Sequence, residues 1–106
     1  MVSEALALDV THTDSETVLA ASGEISMTSS PVLRRALMRV AEQRPRRLVV
    51  DLAEVTFIDS SGIATLVEAL QRARRDGGQL LLRGLRQKIR VVFRLARLDE
   101  VFTIVD

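Results

Sequence analysis

Leu6, Leu8 and Val10 alternate with Ala7, Asp9 and Thr11, the signature of a strand with one face buried. A second strand is predicted over residues 17–22, with Thr13-Asp14-Ser15-Glu16 as the turn before it and Gly23 as its end. Ser29-Ser30-Pro31 reads as a helix start, a serine cap followed by proline at the first helical position. Leu33, Ala36, Leu37, Val40 and Ala41 then share one helical face, with Arg34, Arg35 and Arg39 largely off it, and Pro45 stops the helix. Residues 48–52 form a short apolar run with β-branched members, the pattern of a strand buried on both faces. A further apolar patch, Val55-Thr56-Phe57-Ile58, leads into Asp59-Ser60-Ser61-Gly62. Ile63, Leu66, Val67, Leu70 and Ala73 give the most regular helical stripe in the chain, closed by Asp76-Gly77-Gly78. Residues 79–82 predict another strand, Leu85, Ile89, Val92, Phe93 and Ala96 a third helix, and residues 101–105 a last strand.

The predicted order is ββαβαβαβ with short connections. Strands that alternate with helices imply crossover units, so the expected fold is α/β: a single-layer mixed, largely parallel sheet covered by helices. No repeat, linker or low-complexity stretch divides the chain, and residues 1–106 are expected to form a single domain.

Composition narrows the function classes. A chain of 106 residues that is 47% hydrophobic can bury a core, and the absence of cysteine removes disulfides, thiolate metal sites and cysteine nucleophiles. Met1-Val2-Ser3-Glu4 lacks the basic, apolar start of a secretory signal, and no window approaches the ~18–20 apolar residues of a membrane span. A cytoplasmic protein without membrane insertion is expected. The net charge is +1 from 15 basic and 14 acidic residues; Lys88 is the only lysine and the rest are arginine. Arg34-Arg35, Arg46-Arg47 and Arg74-Arg75 are paired, but the charges nearly balance and Trp and Tyr are absent. Direct nucleic-acid binding is not expected from such a surface.

The candidate chemistry sits at Ile58-Asp59-Ser60-Ser61-Gly62-Ile63, where an apolar run meets a helix N-terminus. Such a junction presents unpaired N–H groups and the positive end of the helix dipole, which favour a phosphoryl group. The plainer reading is that Ser60 or Ser61 is only an N-cap, with Gly62 permitting close packing. His12 sits at the end of a predicted exposed strand and reads as a surface residue, since a catalytic base would also need a positioned partner. Ser60 is not in a Gly-x-Ser-x-Gly elbow, since position 58 is Ile58, and neither glycine-rich nucleotide fingerprint occurs. Asp51, Glu54 and Asp59 lack the company of a Mg²⁺ site. No cofactor, metal or enzymatic activity is expected.

The segment Val55-Thr56-Phe57-Ile58-Asp59-Ser60-Ser61-Gly62-Ile63 resembles the signature of the STAS domain found in bacterial anti-sigma factor antagonists. Ser22-Gly23-Glu24-Ile25 resembles that family's turn after the second strand. Residues 75–80 are similar to its glycine turn before the fourth strand, and residues 93–102 to its last helix-to-strand connection. The resemblance implies a phospho-switched binding module in which Ser60 is the phosphorylated residue. Its partners would be an anti-sigma factor that is also a serine kinase and a PP2C-type phosphatase, and binding the former would release a sigma factor. In a parallel layer the C-terminal ends of neighbouring strands share one edge. A docking surface is therefore expected from Glu24, Ile25, Ser26, Met27 and Thr28 together with Asp59, Ser60, Ser61, Gly62 and Ile63. The alternative is that Met27 and Ile63 turn inward as core. STAS-like proteins further serve as accessory subunits of membrane transport ATPases or as stress-signalling scaffolds, which is the alternative role. Two departures stand out. Ser26 occupies a place where the family usually has aspartate, and many relatives continue beyond the position of Asp106 into another helix that would cover more of the sheet.

Overall fold

The computed structural model describes residues 5–106. The stretch read above for a signal, residues 1–4, lies outside them. The elements are β1 (Leu6–His12), β2 (Thr17–Ile25), α1 (Ser30–Ala41), β3 (Arg47–Ile58), α2 (Ser60–Arg75), β4 (Gln79–Arg83), α3 (Gln87–Leu95), a 3₁₀ turn (Leu98–Glu100) and β5 (Thr103–Val105). The strands form one sheet of five in the order β1-β2-β3-β4-β5. β1 and β2 are antiparallel, and every later pair is parallel. The expected order ββαβαβαβ is therefore the observed one.

Each parallel step moves to the next position along the sheet, so right-handed crossovers place all three helices on one face. Burial follows. Leu48, Val50 and Leu52 of β3 share one core with Leu33 and Leu37 of α1, Leu66 and Leu70 of α2, and Ile89 and Phe93 of α3. Each such leucine contributes about 1.5–3 kcal/mol by leaving water. Val49 and Leu81, register partners on the opposite face, are also buried but lie outside that core. The run 48–52 is thus buried on both sides at its start, with helices over one side only.

Three local readings change. β2 does not end at Gly23 but runs to Ile25, with register shifts before and after Gly23. Gly23 adopts φ 114°, and a Cβ there would lie 2.0 Å from the Ala5 carbonyl oxygen, so the strand passes a close approach that only glycine allows. Residues 48–58 are one continuous strand instead of a run and a separate patch. At the C-terminal end, Val101 and Phe102 precede β5. The Phe102 N–H donates to Leu98 O (2.8 Å), and its ring packs edge-on against Phe93 with centroids 5.8 Å apart, which holds it under α3 and out of the sheet.

Candidate functional site

Because β2 and β3 are parallel, their C-terminal ends emerge together, with Ile25 opposite Ile58 and the Asp59 N–H donating to Ile25 O (3.1 Å). The loop that follows β2 and the helix that follows β3 therefore share one edge of the sheet. The loop is braced internally by Ser29. Its hydroxyl donates to Glu24 O (2.7 Å) and accepts from the Ser26 N–H (2.9 Å), while Ser26 O accepts from the N–H groups of Ser29 and Ser30. Ser29 stands at the N-cap position of α1 but makes no side-chain capping bond, so the expected serine cap acts as a loop clasp instead.

Asp59 is the N-cap of α2, in place of either serine. Its Oδ1 accepts from the Ser61 N–H (2.9 Å), the Gly62 N–H (3.3 Å) and the Ser61 hydroxyl (2.6 Å). Its Oδ2 accepts from the Met27 N–H (3.1 Å). One carboxylate thus ties the helix start to the neighbouring loop. The Ser61 hydroxyl, then the amides of Gly62, Met27 and Ser61, hold the Asp59 pKa below the ordinary carboxylate value, against an opposing push from desolvation. Asp59 therefore favours the folded loop fully above the ordinary carboxylate pKa, about 3.9. That contribution is lost as pH falls through the lowered native value. Amide exchange at Met27 is expected to accelerate in that acid range before the core strands open, and Asp59→Asn to shift the onset.

Ser60 occupies the first position of α2, is exposed, and has no hydrogen-bond partner for its hydroxyl among the described residues. Ser61 differs because its hydroxyl is committed to Asp59. Gly62 is buried against the strand ends; a Cβ there would sit 2.5 Å from Ile25 Cγ2 and 2.8 Å from Ile58 Cγ1. The structure brings together on one exposed edge Glu24, Met27 and Thr28 with Ser60, and places Ser26, Asp59 and Ser61 partly within it. Two expected contact residues are corrected. Ile25 is 0% exposed, and Gly62 is also buried, so both support the surface from below. Ile63 is half-buried against the core, whereas Met27 stands out at 78% exposure. Phe57, read as part of an apolar run, is 41% exposed and lies opposite Glu24 in register.

The three acids weighed as a Mg²⁺ cluster are all engaged elsewhere. Asp51 pairs with Arg83 (2.9 Å), Glu54 with Arg86 (3.2 Å), and Asp59 caps α2. Among the described residues no group of acidic, histidine or cysteine side chains is arranged to hold a metal, and no helix is long and apolar enough to cross a membrane.

The STAS domain model matches residues 7–106 of this sequence, which takes in every strand but the first residue of β1 and every helix. The chain belongs to the STAS domain family. The anti-sigma-B factor antagonist of Bacillus subtilis (strain 168) is 30% identical to this STAS domain over 97 residues, covering 92% of this chain and 88% of that protein. The crystal structure of an anti-sigma factor antagonist from Mycobacterium paratuberculosis superposes with TM-score 0.86 at 28% identity, covering 94% of this chain and 85% of that one. The Bacillus protein SpoIIAA in its phosphorylated form shares the STAS fold at TM-score 0.73 and 18% identity, covering 94% and 92% of the two chains.

Proposed function

We propose that this STAS domain is an anti-sigma factor antagonist that acts in the cytoplasm by binding, without catalysis of its own. In its unphosphorylated state it captures an anti-sigma factor serine kinase and so frees a sigma factor. Phosphorylation of Ser60 by that kinase ends the interaction, and a PP2C-type phosphatase restores it. The observation that carries the reading is the contrast between neighbouring serines: the Ser60 hydroxyl is exposed and unengaged among the described residues, whereas that of Ser61 is held by Asp59. The names of the relatives, antagonists of anti-sigma factors, supply the partner class.

The chemistry explains how a phosphate would work as a switch here. Phosphorylation adds about −1.5 to −2 charges. Asp59 already occupies the amides of Ser61 and Gly62, so a phosphate on Ser60 would add its charge beside a carboxylate and project it outward. A partner packed over Met27 and Ser60 would then meet repulsion and a desolvation cost with no refolding of the domain. The test is to incubate the protein with a candidate anti-sigma kinase and ATP, map the phosphate by mass spectrometry, and compare both forms by calorimetry. Equal affinity of the phosphorylated and unphosphorylated forms would overturn the switch.

The surface makes a separate expectation. Glu24→Arg is expected to weaken kinase binding, because Glu24 is exposed on the same edge as Ser60. Arg90→Glu is expected to leave that binding unchanged, since Arg90 lies on α3 and pairs with Asp106 (3.2 Å). A silent Glu24→Arg with a damaging Arg90→Glu would move the docking face to α3.

A further inference from the structure

Outside the candidate site, the large apolar residues left exposed gather in one place. Apart from Met27 and Phe57 at the site and Val10 on β1, those among the described residues are Val91, Val92, Leu95 and Val101, all on α3 and the turn after it. Helical geometry explains the arrangement. Ile89 and Phe93 point α3 into the core, so Val91 and Leu95, a spacing of i and i+4, form a ridge on the opposite pole. Leu95 is 81% exposed. Ridges of this kind on a folded domain mark contact surfaces when charges frame them.

Charges do frame this one. Residues 86–97 contain arginine and lysine but no acidic residue, and the exposed carboxylates of Asp99 and Glu100 lie beyond the C-terminal end of the helical ridge, beside Val101. Arg86 and Arg90 are neutralised by Glu54 and Asp106. Lys88, Arg94 and Arg97 have no acidic partner among the described residues, and Lys88 and Arg94 flank the ridge on either side. The Val101 end of the patch is also remote from Ser60. Arg74, near the far end of α2, donates to Val101 O (3.1 Å), which places Val101 beside the end of α2 that lies roughly 20 Å along the helix from Ser60.

We propose that the outer face of α3 is a second docking surface, built for an amphipathic helix of another protein whose apolar stripe is flanked by aspartate and glutamate. The apolar ridge supplies burial, and the cations beside it select the sign of the partner. A second copy of this chain fits poorly, because a two-fold contact here would set the unpaired cations of one α3 face, Lys88, Arg94 and Arg97, against the cations of the other. An anionic membrane fits poorly. The helix has only nine residues, and the chain has no Trp or Tyr to settle among headgroups. The surface is independent of phosphorylation, so one domain can hold a partner here while the edge at Ser60 is switched.

The test uses the full chain, isotope-labelled for amide spectra. The probe is a synthetic peptide with leucines at helical spacing flanked by glutamates. A matched peptide with lysines in place of the glutamates and vesicles of phosphatidylglycerol are run alongside. Saturable shifts centred on α3 are expected with the acidic peptide alone. The double variant Lys88→Glu, Arg94→Glu is expected to weaken them about tenfold, and Leu95→Ser to do the same. Both change exposed positions, and circular dichroism confirms that they fold. Ser60→Asp is expected to leave the affinity unchanged. Shifts centred on the Glu24–Ser60 edge, equal binding of the lysine peptide, no saturable shift, or charge-dependent capture by the vesicles in place of the peptide would each overturn the proposal.

Discussion

Ser60→Ala is expected to abolish phosphate incorporation by the cognate anti-sigma kinase while leaving capture of that kinase intact. The exposed Ser60 hydroxyl has no competing hydrogen bond among the described residues, and alanine at the first helical position removes the acceptor without disturbing the cap, which is Asp59. Ser61→Ala is the informative companion. It removes the hydroxyl that donates to Asp59 Oδ1 at 2.6 Å, so it is expected to loosen the helix start slightly and still accept phosphate on Ser60. Mass spectrometry of the kinase reaction separates the two. Undiminished phosphate on Ser60→Ala, at Ser61, Ser26 or Thr28, would defeat the assignment. Ser60→Asp carries only about half the charge of a phosphate, so partial release of the kinase is the expected result.

Gly23→Ala is expected to destabilise the domain strongly, although it adds only one methyl group. Two effects add. A side chain at φ 114° is strained by about 1–3 kcal/mol, and the new Cβ meets a backbone oxygen, Ala5 O, at 2.0 Å. Relieving such a contact costs about 1–3 kcal/mol more, since the carbonyl belongs to the residue that leads into a paired strand and cannot swing away. A total of about 4 kcal/mol, the middle of the summed range, lowers the melting temperature of a domain of this size by roughly 16–32 °C. Gly77→Ala isolates the first effect. Gly77 has φ 80°, but a Cβ added there would meet nothing within 4 Å, so only the conformational strain remains. Thermal melts of the two variants are expected to differ clearly, and equal losses would show that the Ala5 contact yields easily.

The hydrophobic pattern made the architecture legible because its stripes are bulky. Leu33, Leu37 and Val40 all turn inward on α1 as their spacing predicts. α2 is harder to orient from its sequence. Its buried face includes Gly62, Thr65 and Ala69, small residues that carry little hydrophobic signal but let the helix approach the sheet, so Ile63, Val67 and Ala73 sit at the flank. The same limit governs β2. A glycine reads as a strand end, yet Gly23 is required within the strand by a carbonyl that no local pattern reveals. Phe57 escapes the core because the shifted register between β2 and β3 breaks the simple alternation near its end.

The candidate site was legible as a segment but not as a surface. Asp59-Ser60-Ser61-Gly62 offers three residues able to cap a helix, and sequence alone does not rank them. The choice falls on Asp59 because its second oxygen also reaches the Met27 N–H, in a loop that precedes it by a whole helix and strand. That long-range bond also explains why Ile25 supports the surface while Met27 projects from it.

The strand order has a consequence for how the domain assembles. Because the strands stand in the sheet in the order in which they occur in the chain, each new strand can dock on the one already laid down, and each crossover closes a loop little longer than one helix. The first turn of α2 is then completed at a definite moment. Asp59 needs the Ile25 carbonyl and the Met27 amide, so its arrangement exists only after β3 has aligned beside β2. A chain caught before that step carries Ser60 in its sequence but not in the setting a kinase would read, and phosphorylation at this position would report on completed folding as well as on signalling.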